Sequence, residues 1–72
     1  MLWIVDDGGS LVEVFSGTTI HLSFLKGGVA IVVSRPQSDE KCRLWIYESE
    51  SRAKTALRRL GERIGAIHRS SL

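Results

Sequence analysis

The hydrophobic pattern of this chain changes period at Ser49, and only a mixed α+β fold accommodates both halves. Before Ser49 the apolar residues come in short runs with a period of two. Ile20, Leu22 and Phe24 alternate with His21 and Ser23, and Cys42, Leu44 and Ile46 alternate with Arg43, Trp45 and Tyr47. That period places alternate side chains on opposite faces of a strand. After Ser49, the residues Ala53, Ala56, Leu57, Leu60, Ile64 and Ile67 recur at helical spacing. At about 100° per residue they share an arc of roughly 100°, the apolar stripe of an amphipathic helix. Ser49 suits the N-cap and Glu50 the positive end of that helix. The spacing predicts a helix from about Glu50 to about Ala66, fraying through His68-Arg69-Ser70-Ser71. Gly61 and Gly65 fall on its polar side, each weakening it by up to about 1 kcal/mol relative to alanine.

The first 48 residues divide at turn signals. Leu2–Val5 is a β-rich run closed by Asp6-Asp7-Gly8-Gly9, and Leu11–Phe15 is closed by Ser16-Gly17. Thr18–Leu25 ends at Lys26-Gly27-Gly28. Val29–Ser34 is continuously apolar and β-branched, which predicts a central strand covered on both faces. Arg35–Glu40 is a polar hairpin loop containing Pro36, and Lys41–Tyr47 is the last strand. Consecutive strands with short turns pair antiparallel. The expected architecture is one domain over residues 1–72, a curved antiparallel meander of four or five strands across about residues 2–48. The C-terminal helix packs on its apolar face. A small barrel plugged by that helix is the alternative.

Length limits what such a fold can bury. A chain of 72 residues hides only about 60% of the surface it exposes unfolded. Domains of this size are commonly stapled by a disulfide, a metal or a partner subunit. A single cysteine, Cys42, forms no intrachain disulfide, and with His21 and His68 it does not complete a closed four-ligand zinc site. Oligomerisation is the remaining staple, so a homo-oligomer is expected. No apolar run reaches the roughly 20 residues that span a bilayer, and Met1-Leu2-Trp3-Ile4-Val5-Asp6-Asp7 lacks the basic start of a signal peptide. With an unpaired cysteine, these features lead to the expectation of a reducing, cytoplasmic setting.

Charge is unevenly placed. Residues 1–25 carry Asp6, Asp7 and Glu13 and no base, whereas residues 51–72 carry six bases and one acid, Glu62. Such asymmetry fits self-association or an anionic partner. Arg52, Arg59 and Arg63 lie within about 40° of one another on the helix wheel and form a stripe, with Lys54 and Arg58 on the far flank. This stripe reads either as a solvated face whose arginine stems cover the apolar edge, or as a site for phosphate or an acidic surface. On the last strand, Trp45 and Tyr47 share a face with Arg43 by alternation. If the helix covers the Cys42 face, these aromatics are interface anchors or stacking platforms; a second, minor core closed by Trp3 or by the first hairpin is the other reading.

Conventional catalytic signatures are weak. His21 and Ser23 share a strand face, as alternation often arranges, without a positioned orienter. Cys42 alternates with Leu44 and Ile46 and reads as a small buried hydrophobe. Asp6-Asp7-Gly8-Gly9 has turn chemistry, without the alternating ligands of a calcium loop. Gly27-Gly28 opens a strand, so it is no phosphate loop.

The order of elements resembles that of short uncharacterised bacterial proteins with several strands followed by a C-terminal helix. Met1-Leu2-Trp3, Tyr47-Glu48-Ser49-Glu50-Ser51-Arg52-Ala53 and Ala56-Leu57 carry the resemblance. It implies the fold and brings no site residues. The expectation is a small non-catalytic binding or regulatory module without cofactor, acting through protein–protein contacts and associating with itself. Nucleic-acid or nucleotide binding through the arginine stripe is the alternative.

Overall fold

A computed structural model describes residues 1–39 and 41–68. The chain is α+β. Strands β1 (Trp3–Val5), β2 (Leu11–Glu13), β3 (Thr19–Leu25), β4 (Gly28–Ser34) and β5 (Lys41–Tyr47) precede the helix α1 (Glu50–Arg63), and β6 (Ile67–His68) follows it. The sheet order is β5-β4-β3-β2-β1-β6. β1 to β5 form the expected antiparallel meander, and β6 joins parallel to β1, with Ile4 opposite Ile67. The sheet is open, so the barrel alternative is not adopted.

Local chemistry sets each reversal. Asp6 Oδ1 accepts from the backbone N–H of Gly8 at 3.0 Å and of Ser10 at 2.8 Å, which closes the β1–β2 turn. Lys26-Gly27 alone separates the paired residues Leu25 and Gly28. Ser49 caps α1, its side chain accepting from the Arg52 N–H at 3.3 Å.

The C-terminal end of α1 differs from the sequence expectation. The helix stops at Arg63 because Gly65 takes φ +74°, a conformation that costs residues with a β-carbon about 1–2 kcal/mol. The Gly65 N–H donates to the Glu62 carbonyl and the Ala66 N–H to the Gly61 carbonyl at 2.8 Å, a Schellman closure. Gly65 is thus the stop signal rather than a weak interior position, and Ile67 belongs to β6. The extended turn also lets residues after the helix return to the sheet beside β1. Of the residues expected to fray, Arg69, Ser70 and Ser71 lie outside the described set.

The core lies between α1 and one face of the sheet. Leu11, Ile20, Ile31 and Leu57 form its centre, with Trp3, Val5, Leu22, Val33, Tyr47, Ala56, Leu60 and Ala66 packed around them. The strand members share one face by register: Val5 opposite Leu11, Leu11 opposite Ile20, Ile20 opposite Val33 and Leu22 opposite Ile31. Trp3 therefore belongs to this main core and closes no second one. Gly61 is buried here, and a β-carbon on it would stand 2.9 Å from Leu11 Cδ2. Its missing side chain lets the helix approach β2, a role hidden when it is counted only as a polar-side glycine.

β4 is the most buried strand, as expected from its apolar run, but it is next to the edge rather than central. Only one of its faces meets the helix. Ala30 and Val32 are buried on the opposite face, flanked in register by Ser23 and Ile46, and by His21 and Arg43.

Candidate functional site

β5 is an edge strand, paired on one side with β4. Its register shifts once: Trp45 lies opposite Ile31 and Arg43 opposite Val32, leaving Leu44 as the extra residue. Such a bulge reverses the facing of everything on one side of it. Trp45 and Tyr47 turn toward α1, while Arg43 sits on the far face with Val32. The expected sharing of a face by Arg43, Trp45 and Tyr47 is therefore broken. The bulge also places Cys42 opposite Val33, and the cysteine is exposed, not buried. Strict alternation failed here because nothing in Lys41–Tyr47 marks Leu44 as the bulged position.

The helix lies on the side of Trp45 and Tyr47, and the bulge brings Cys42 to that same side, opposite the core residue Val33, while Ile46 stays on the other. Tyr47 is half-buried against the core, and Trp45 remains 58% exposed at the edge. Between β5 and α1 runs an open groove of about 540 Å³. Trp45 and Tyr47 form its strand side. Ser51, Arg52, Thr55, Ala56, Arg59, Leu60 and Arg63 form its helix side. The three arginines read as a stripe do lie together, in the same groove as both aromatics. No acidic residue lines it, and among the described residues the guanidinium groups of Arg52, Arg59 and Arg63 have no hydrogen bond or ion pair.

Ser51 and Thr55 were not singled out in the sequence. They precede Arg59 at successive spacings of four, the interval that aligns residues on a helix face. The Thr55 hydroxyl donates to the Ser51 carbonyl at 3.0 Å. Lys54 and Arg58 line a different cleft of about 430 Å³ on the opposite flank of α1, along with Leu11, Leu57 and the Gly8-Gly9 turn. Lys54 Nζ lies 3.0 Å from Glu50 Oε1, an exposed i,i+4 pair worth a few tenths of a kcal/mol.

His21 is bound to Ser34, not Ser23. Its Nε2 lies 2.9 Å from Ser34 Oγ and its Nδ1 3.2 Å from the Leu22 carbonyl oxygen. In the neutral ring the carbonyl assigns the proton to Nδ1, so the serine hydroxyl donates to Nε2. The ring is oriented by backbone rather than by a carboxylate.

The sheet face away from α1 is uncovered. By register it carries Ile4, Val12, Leu25, Gly28, Ala30, Val32, Ile46 and Ile67, together with Thr19, His21, Ser23, Ser34, Lys41 and Arg43. Lys41 and Arg43, both on the edge strand β5, are the charged residues of that set, and Ile46 is 62% exposed. Among the described residues, no group of three histidine, cysteine, aspartate or glutamate side chains gathers as a metal site. No helix among those residues is long and apolar enough to cross a membrane.

Comparison with known proteins identifies no matching family model, curated protein or solved structure.

Proposed function

We infer that this chain is a small non-catalytic binding module that works through protein–protein contacts and associates with itself. The observation carrying the reading is the placement of apolar side chains on β5 and the sheet face beside it. Leu44, Trp45 and Ile46 are exposed on an edge strand, and Ile46 continues onto a face where only Lys41 and Arg43, both on that edge strand, are charged among fourteen register positions. Depletion of charge with retention of apolar area characterises the centre of a protein interface. A second copy is the occupant that suits the open face, since the apolar positions from β1 to β4 can meet while the exposed Lys41 and Arg43 stay at the β5 edge in solvent. The association also supplies the cover that one helix does not give to a six-stranded sheet.

Light scattering on a sizing column tests this reading. The parent chain is expected at a multiple of 8.0 kDa, unchanged by high salt. Ile46→Glu is expected to elute as a folded monomer, because dimerisation would bury the new charge. A parent chain that remains monomeric as its concentration rises would contradict self-association.

Nucleic-acid or nucleotide binding is a second reading, supported by the arginines and Trp45 in the groove. Its distinguishing expectation is binding that weakens steeply with salt.

A further inference from the structure

We propose that the β5–α1 groove receives an extended acidic segment of another protein, which adds to β5 as a seventh strand and directs alternate carboxylates to Arg52, Arg59 and Arg63. This inference rests on the protein-contact reading and specifies the partner's chemistry at a surface distinct from the open self-association face.

The backbone provides the first argument. An edge strand has main-chain hydrogen-bonding groups on its outer side, and an extended peptide satisfies them by strand addition. The seven residues of β5 supply such an edge. Its Leu44 bulge interrupts regular pairing, leaving Trp45–Tyr47 as the regular stretch beside the groove. A strand laid there turns every second side chain toward α1.

Charge selects those side chains. Among the described residues, three arginines without a hydrogen bond or ion pair line the helix wall, and no acid joins them on the lining. Arg59 and Arg63 are one turn apart, about 6 Å along the helix. Carboxylates at positions i and i+2 of a strand are about 6.7 Å apart, so two successive inward acids match two successive arginines. Arginine favours this pairing because its planar fork binds a carboxylate through two hydrogen bonds.

The same charges disfavour a second copy at this edge. Antiparallel pairing of β5 with β5 would place both helices on one face of the joined sheet. Their arginine stripes would then confront each other across the seam, with like-charge repulsion. The geometry also favours peptide over nucleic acid. Tyr47 is packed into the core, leaving Trp45 as the exposed aromatic on the strand wall. A nucleic acid would make no use of the unpaired strand edge.

The test uses fluorescence anisotropy of a labelled peptide with alternating glutamate and valine, titrated with the intact chain. Binding is expected. The double variant Arg59→Glu, Arg63→Glu is expected to weaken it by about tenfold or more while retaining the parental circular dichroism spectrum. Arg52→Gln gives a second, milder loss should the double variant fail to fold. A peptide with lysine replacing glutamate should not bind. Backbone N-methylation of the acidic peptide at alternate residues should abolish binding in one of the two phases, because one set of N–H groups faces β5. Equal binding by both methylated peptides would overturn strand addition. Preferential binding of a single-stranded oligonucleotide would overturn the peptide assignment and favour the second reading. If the acidic peptide does not bind but the chain still forms an Ile46-dependent oligomer, this inference fails and the protein-contact reading stands.

Discussion

Glu13 shows how a charged residue can be part of the fold without belonging to the binding site. It is only 3% exposed at the end of β2, where the Ser16 backbone N–H donates to its carboxylate. That hydrogen bond, reinforced by the Ser16 side chain, holds Glu13 below the usual carboxylate range. A depressed folded value gives stability that is present above the unfolded value and lost as pH falls through the folded one. Glu13→Gln should therefore lower the melting temperature at neutral pH, and the gap from the parent should begin to narrow near pH 4.5 and close only as pH falls through the lower folded value. Thermal melts at neutral and acidic pH check this; a constant gap would show that proton linkage is not the cause. The sequence identified Glu13 only as part of an acidic front. Its role depends on the path of the chain through Ser16, which composition does not reveal.

The elements were legible where one local signal governed them. The shift in period at Ser49 located the helix, and the N-cap and the turn after β1 follow the chemistry of Ser49 and Asp6. Readings failed where tertiary packing supplied the information. The Leu44 bulge reversed the faces of Arg43 and Cys42, and β6 needed β1 as a neighbour before Ile67-His68 could be a strand. The helix glycines have distinct tasks: Gly61 permits close packing and Gly65 closes the helix. Gly61→Val should cost about 2 kcal/mol by driving a side chain into Leu11. Gly65→Ala should cost about 1 kcal/mol by requiring alanine at a positive φ. Urea denaturation gives both values; a neutral Gly61→Val would contradict the close approach of α1 to β2. The arginine stripe was readable from helical spacing, whereas its union with Trp45 and Tyr47 depended on which sheet face the helix covered.

At the scale of the molecule, one helix covers one face of a six-stranded sheet, and the small core is built almost wholly on that side. The opposite face retains Ile4, Val12, Leu25, Ile46 and Ile67, with its charge confined to Lys41 and Arg43 on the edge strand. A second copy would complete a thin core, while the arginine-lined groove beside β5 would remain open to a different chain. These surfaces explain how charge asymmetry and self-association can serve separate contacts. The central claim is that part of the stability resides between copies, which makes melting depend on chain concentration. The most direct measurement is therefore the melting temperature of the parent chain and of Ile46→Glu across a wide dilution series. The account predicts a rise with concentration for the parent and a flat line for the variant. A parent melting temperature that does not move with concentration, in a chain found monomeric throughout the series, would contradict it.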